Sequence, residues 1–256
     1  MQACIAMRNA MEADVRLGLE QGHFALYYQP QVDSAGRLVG VEALLRLQHP
    51  DKGLIMPAAF IGVAEATGLI FELGYWTLET ACAQLHAWSV DLARAQLTIS
   101  VNVSARQFSD LAFVERVLDI VDRTGANPHR LILKLTESLL LDEVETTIGK
   151  MIALRQRGIR FSLDDFGTGF SSLSYLKRLP LSEIKIDRSF VQNLIDDAND
   201  AVIVRAILAL ADSFGLSVIA EGVETLAQRD FLLRSGCTRF QGYLFGRAEP
   251  VAMLTV

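Results

Sequence analysis

Four carboxylates fall where apolar, strand-like runs give out: Glu42 in Val41-Glu42-Ala43-Leu44-Leu45-Arg46, the adjacent pair Asp164-Asp165, and Glu221 in Ala220-Glu221-Gly222. Asn102, Lys185 and Gln241 interrupt three further runs of the same kind. Side chains alternate sides along a strand. Parity therefore sets Asn102 opposite Ile99 and Val101, Asp164 and Ser162 opposite Phe161 and Leu163, Lys185 opposite Ile184 and Ile186, and Glu221 opposite Val218 and Ala220. With the apolar residues turned toward covering helices, the polar ones face inward and meet. Carboxylates buried together demand cations or protons. Oxygen ligands from Asp, Glu and Asn suit Mg²⁺, Mn²⁺ or Ca²⁺ better than zinc. Adjacent aspartates flanking two ions roughly 3.5–4 Å apart form a layout that hydrolyses phosphate esters.

Each residue taken alone has a plainer reading. The Asp pair before Phe166-Gly167-Thr168-Gly169 reads as a turn and helix cap. Glu42 can pair with Arg46, Asn102 can be a satisfied strand-end amide, and Lys185 can be solvated. Gly167-Thr168-Gly169 is a weak phosphate-loop signal and more often an ordinary loop. His23, His49, His86 and His129 have no ligand spacing, and Trp76 and Trp88 read as helix-packing residues. Six polar groups at the ends of six different strands are nevertheless hard to reconcile with coincidence.

Bringing those groups together requires strands that end at one mouth. Runs rich in β-branched residues alternate with helical patterns along the whole chain, without a linker or a low-complexity stretch. Strands are expected at Phe24–Val32, Leu38–Leu47, Leu97–Ser104, Leu131–Thr136, Ile159–Asp164, Ser182–Ile186, Leu216–Ala220 and Arg239–Phe245. Helices are expected at Thr77–Trp88, Asp142–Arg157 and Asp200–Phe214 among others, with Gly158 and Gly215 placed as left-handed caps. The first two strands are joined by Asp33-Ser34-Ala35-Gly36, which suits an antiparallel hairpin, whereas helix-bearing connections suit parallel crossovers. The expected fold is α/β, a modified TIM-type (β/α)8 barrel with an antiparallel first strand. A doubly wound open sheet is the alternative.

The 256 residues are 51% hydrophobic with a net charge of −6, enough chain to bury a core without disulfides. That acidic balance disfavours a nucleic-acid polymer as partner. The longest nearly apolar stretch, Ala201–Ala211, contains Arg205 and falls short of the roughly 20 residues of a transmembrane segment. Scattered Cys4, Cys82 and Cys237, and no basic-then-apolar leader, predict a cytoplasmic setting. Residues 1–22, with Met11, Val15, Leu17 and Leu19, read as a helix or linker from an upstream domain, and residues 23–256 as the barrel domain.

The same residues carry a family signature. Leu26-Tyr27-Tyr28-Gln29-Pro30, Glu42-Ala43-Leu44-Leu45-Arg46, Val101-Asn102-Val103-Ser104, Leu135-Thr136-Glu137-Ser138, Asp164-Asp165-Phe166-Gly167-Thr168-Gly169, Lys185-Ile186-Asp187, Ala220-Glu221-Gly222-Val223-Glu224 and Gln241-Gly242-Tyr243-Leu244-Phe245 strongly resemble the EAL-domain family of cyclic-di-GMP phosphodiesterases, in order and spacing over roughly residues 12 to 250. The resemblance implies a metal-dependent hydrolase that opens cyclic di-GMP to linear pGpG with two Mg²⁺ or Mn²⁺ ions. By position, Glu42, Asn102, Asp164, Asp165 and Glu221 are then metal ligands. Lys185 orients the attacking water, with Asp165 and Glu221 completing the catalytic group. Gln29, Leu44, Arg46 and Gln241 contact substrate, and Glu137 and Glu224 support the site. The resemblance also implies an upstream regulatory domain in the full-length protein, and a homodimer through the apolar Phe166–Leu176 and Val191–Leu194 neighbourhoods.

One departure matters more than the matches. Where the family pattern reads Glu-x-Thr-Glu, this chain reads Lys134-Leu135-Thr136-Glu137, so a ligand position holds a cation. Parity turns Lys134 inward, where its ammonium opposes an ion unless the side chain swings away. Smaller departures are Leu47 where Trp is frequent and Ala248 where Pro is usual. Two functions follow: a phosphodiesterase, fully active or weakened by Lys134, or a cyclic-di-GMP receptor module without turnover. An unrelated hydrolysis on the same barrel is a third, since fold does not fix function.

Overall fold

A computed structural model describes residues 2–137, 139, 144–167 and 176–255. Ten strands run in chain order: β1 (Phe24–Asp33), β2 (Leu38–His49), β3 (Gly53–Ile55), β4 (Thr98–Asn102), β5 (Leu131–Thr136), β6 (Arg160–Phe166), β7 (Glu183–Ile186), β8 (Ser217–Ala220), β9 (Arg239–Gln241) and β10 (Glu249–Pro250). Eight of them close into a ring, β1-β2-β4-β5-β6-β7-β8-β9 and back to β1, with β3 and β10 added on β2 and β1. β1 is antiparallel to both β2 and β9, and every other neighbour in the ring is parallel. The fold is the α/β barrel with a reversed first strand.

The reversal begins in a local turn. Asp33 Oδ1 accepts hydrogen bonds from the Ala35 and Arg37 amides at 2.9 and 3.0 Å, and Gly36 takes a φ of 78°. A side-chain-braced four-residue turn of this kind returns the chain directly beside itself. Later strands are joined through helices such as Leu69–Trp88, Phe113–Thr124, Val144–Gln156 and Ala198–Ser213. Such crossovers keep successive strands parallel.

The faces fall as the period-two pattern predicts. Ile99, Val101, Leu131, Leu133, Leu135, Phe161, Leu163, Ile184 and Ile186 are buried in one hydrophobic cluster with Leu73, Leu78, Val117, Met151, Leu154, Val204 and Ile207 of the helices. Ile132 and Ile219 are just as buried but stand apart from that cluster, inside the ring. The rest of the interior is largely polar: Gln31, Ser100, Ser162, Glu183, Lys185 and Gln241 are all buried. Ser162 Oγ donates to Glu183 Oε1 at 3.0 Å, so this face is wired rather than oiled.

Several boundaries differ from expectation. The strand expected at Arg239–Phe245 stops at Gln241, because the next residues turn to bond across: Val223 N donates to Gln241 O, and Leu244 N to Val223 O, both at 3.1 Å. A Cβ at Gly242 would lie 2.1 Å from Val223 O, so only glycine lets the two backbones pass. The N-terminal helix extends over Gln2–Gln21 and packs on the barrel through Val15, while Asp14 engages His49 at the end of β2 and Lys52 just beyond it. Phe166, Leu176, Val191 and Leu194, expected to be exposed apolar residues at a dimer interface, are buried, because they complete the layer between strands and helices. The rest of that neighbourhood, residues 168–175, lies outside the described residues, as do Ser138, Thr168 and Gly169.

Candidate active site

Seven strands deliver polar groups to one mouth. Glu42 stands on β2, Asn102 on β4, Lys134 on β5, Asp164 and Asp165 on β6, Lys185 on β7 and Gln241 on β9, while Glu221 follows β8 directly. Pairing fixes their heights: Asn102 lies beside Lys134, Gln29 across from Glu42, and Gln31 across from Gln241. β6 adds an irregularity, since Leu163 pairs with Ile184 and Phe166 with Ile186, leaving Asp164 and Asp165 together opposite Lys185. Asp165 takes a left-handed φ of 52°, alone among the described non-glycine residues. Such a bulge re-aims side chains that simple alternation would send to opposite faces.

Glu42 is the hub. Its Oε1 accepts from Lys134 Nζ at 2.6 Å and from Asn102 Nδ2 at 2.9 Å; its Oε2 accepts from Lys185 Nζ at 2.9 Å and from Gln241 Nε2 at 2.7 Å. Lys134 Nζ also meets Asp164 Oδ2 at 2.9 Å and lies 3.9 Å from Glu221 Oε1. Lys185 Nζ donates to Glu221 Oε1 at 2.5 Å and to Gln241 Oε1 at 3.4 Å. Gln241 is oriented in turn by Gln31 Nε2, which donates to its Oε1 at 2.9 Å, and its own Nε2 donates to Gln29 Oε1 at 3.1 Å.

Burial alone would discharge these groups, and their mutual attraction reverses that. Desolvation works against the Lys134 ammonium, but Glu42, Glu221 and Asp164 outweigh it and hold its pKa well above the usual lysine value. Lys185 is likewise raised, against burial, by Glu221 and Glu42. Burial would raise the Glu42 pKa, yet the two ammoniums hold it well below the ordinary carboxylate range. Glu221 is raised by burial, with Glu42 and Asp164 adding to it against Lys185 and Lys134. Burial and the adjacent Asp164 push Asp165 up to about 6.

The carboxylates are thus drawn onto two internal cations. Among the described residues no group of three or more His, Cys, Asp or Glu side chains stands arranged to hold a metal ion. One acceptor is left over: Asp164 Oδ1 is buried without a hydrogen-bond partner among the described residues. That atom, with the carboxylates of Asp165 and Glu221, offers the hard-oxygen chemistry one divalent cation takes, though the three side chains are not gathered about one point as they stand. The place between Glu42 and Asp164 Oδ2 does not fit a second, because Lys134 Nζ already contacts both.

The remaining expected residues are spread more widely. Arg46 does not pair with Glu42; its Nη1 donates to Leu45 O at 2.8 Å and its guanidinium lies 5.5 Å from the Tyr27 ring centroid. Leu44 is half-buried on β2 opposite Tyr27. Glu137, in the turn after β5, is buried with neither carboxylate oxygen bonded among the described residues. Glu224 meets Arg188 at 3.3 Å. The segment from Glu221 to Glu224 is pinned by the capping box of the helix Leu226–Arg234, where Gln228 Oε1 accepts from the Glu224 and Thr225 amides at 2.9 Å.

A cavity of about 150 Å³ opens beside the cluster, lined by Gln29, Arg188, Glu221, Glu224, Gln241 and Tyr243 among others. A larger one of about 570 Å³, around Tyr28, Arg37, Phe245 and Arg247, touches none of the clustered carboxylates or lysines. Arg188, Tyr243 and Gln31 escape the sequence reading. The signals were present: Gln31 shares a strand face with Gln29, and Arg188 follows Asp187, which caps the helix Arg188–Gln192 through Ser189 N at 3.0 Å.

A family model described as the EAL domain matches residues 12–248. The chain belongs to the EAL domain family. As an EAL domain it is 46% identical over 242 residues to the bifunctional diguanylate cyclase/cyclic di-GMP phosphodiesterase MucR of Pseudomonas aeruginosa, covering 94% of this chain and 35% of that protein. It is 40% identical to the signaling protein YkoW of Bacillus subtilis, covering 93% of this chain and 30% of that one. The EAL domain thus spans about a third of the length of these relatives. Its fold superposes on the Pseudomonas MucR phosphodiesterase in complex with c-di-GMP at a TM-score of 0.92 and 45% identity, covering 96% of this chain and 100% of that one. It also superposes on the EAL enzyme Bd1971 bound to cAMP and cyclic di-GMP at a TM-score of 0.93 and 31% identity, covering 98% and 69%.

Proposed function

We propose that this EAL domain binds cyclic di-GMP at the barrel mouth and acts as a phosphodiesterase whose turnover is held down by Lys134. The observation that carries this reading is the meeting of Glu42, Asn102, Asp164, Asp165, Lys185, Glu221 and Gln241 at one mouth, in a chain similar along its length to a phosphodiesterase solved with c-di-GMP. Asp164, Asp165 and Glu221 would hold Mg²⁺ or Mn²⁺, which would supply charge neutralisation at the phosphate and a more acidic water. Lys185, kept charged by Glu221 and Glu42, is a donor and not a base; to hold a water it would give up one of its three bonds, of which that to Gln241 at 3.4 Å is the longest. With no ion bound, burial and Asp164 raise Asp165 to about 6; a divalent ion held there would keep it a carboxylate. Gln241 and Gln29, already bonded to one another, turn amides toward the adjoining cavity, and Arg46, Leu44, Glu137 and Glu224 serve as substrate contacts and supports by family position.

A second reading, a receptor module without turnover, is favoured by one specific observation: Lys134 Nζ is bonded to Glu42 and Asp164 and does not swing away. The full-length protein then couples this domain to a regulatory domain elsewhere in its chain. We place it in the cytoplasm, which suits the free, buried Cys82 and Cys237; no described helix is long and apolar enough to cross a membrane. Incubation with cyclic di-GMP and Mg²⁺ or Mn²⁺ tests the first reading, which expects pGpG to accumulate slowly. Calorimetric binding without product selects the receptor, and absence of binding at high micromolar ligand removes both.

A further inference from the structure

The place of Lys134 has a chemical meaning beyond slowing a reaction. Its ammonium lies 2.6 Å from Glu42 Oε1, 2.9 Å from Asp164 Oδ2 and 3.9 Å from Glu221 Oε1, contacting carboxylates carried by β2, by β6 and by the residue after β8. Its side chain is 7% exposed, and the Glu42 and Asp164 side chains are 4% and 11% exposed, so water does little of the neutralising. Asn102 Nδ2 donates to the same Glu42 oxygen at 2.9 Å, holding that carboxylate in place. A cation among convergent carboxylates is what a divalent ion supplies, and here the chain supplies it itself.

We propose that Lys134 is a resident cation of the site: it takes the place of one of two divalent ions, so that the domain takes up a single ion and binds cyclic di-GMP without any. The unpartnered Asp164 Oδ1 is the acceptor that ion would use. A lysine differs from a metal in being permanent, so phosphate binding at this mouth becomes insensitive to chelation. It differs also in offering no open coordination position, so it neutralises a phosphate without activating a water on that side.

The inference rests on cyclic di-GMP being the ligand, and its test separates the two. Calorimetry with cyclic di-GMP is run on the native chain, Lys134→Met and Lys134→Glu, in EDTA and in Ca²⁺, with manganese counted by titration. The native chain is expected to bind within a few-fold as tightly in EDTA as in Ca²⁺, and to take up one Mn²⁺. Lys134→Met should lose about tenfold or more in EDTA, as when a buried charge loses its partner, and regain binding when Ca²⁺ is added. Lys134→Glu, which restores a carboxylate, should bind two Mn²⁺. Native binding that vanishes in EDTA, or two Mn²⁺ on the native chain, overturns the resident cation while leaving the ligand intact. Unchanged EDTA binding in Lys134→Met, with the variant folded by circular dichroism, overturns it as well. No binding by the native chain under any condition instead removes the cyclic-di-GMP reading on which it stands.

Discussion

Lys185 is fully buried, and its ammonium is shared among Glu42, Glu221 and Gln241. Breaking such a buried pair leaves a carboxylate facing low dielectric with one counter-charge fewer, typically at a cost of about 3–5 kcal/mol. Lys185→Met is therefore expected to lower stability by about 3 kcal/mol in denaturant unfolding without metal. Glu42→Gln in the same background should return part of that loss, a coupling that two independent sites would not display. Lys134 and Lys185 illustrate what one residue's sequence context can and cannot tell. Parity alone turns both inward, because neighbours such as Leu133, Leu135, Ile184 and Ile186 need the helix side. Whether a long, four-carbon arm then reaches the carboxylates or snorkels out to solvent is decided by distances that no pattern of letters contains.

Among the elements, strands buried on both faces were the easiest to find, since their apolar period and the glycines between them leave few alternatives. β3 and β10 went unseen, at three and two residues, because so short a run has no period to detect. The bulge in β6 was also hidden: alternation would send Asp165 away from Asp164, and only the left-handed backbone at Asp165 keeps both at the mouth. The end of the last barrel strand turns on Gly242, whose missing side chain lets Val223 bond Gln241. Gly242→Ala must push two backbones apart, and we expect a loss of about 2 kcal/mol with weaker ligand binding, since Gln241 moves with it. Gly149→Ala, on an exposed helical position with nothing within 4 Å of its new methyl, should instead stabilise by up to about 1 kcal/mol. Paired thermal melts of the two variants check both signs.

At the scale of the whole molecule, the homodimer proposed from family likeness must rest on surfaces other than the buried Phe166, Leu176, Val191 and Leu194. Among the described residues of that region, Ile195 and Val202 are apolar and more than half exposed. Sedimentation velocity at tens of micromolar should give a concentration-dependent dimer that Ile195→Glu weakens; a monomer at all concentrations, with and without ligand, removes the dimer. The barrel itself was legible from eight strand patterns and one tight turn, and the site from where polar residues broke them. The reversed first strand carries one more implication. β1 pairs at once with β2, but its other edge waits for β9 and β10, and Gln31 bonds a residue 210 positions later. A nascent chain emerging from the ribosome therefore holds an open, unpaired edge on β1 until residues 239–250 have been made. Closure can come only once β9 and β10 are available, and until then that edge is exposed to pairing with other chains.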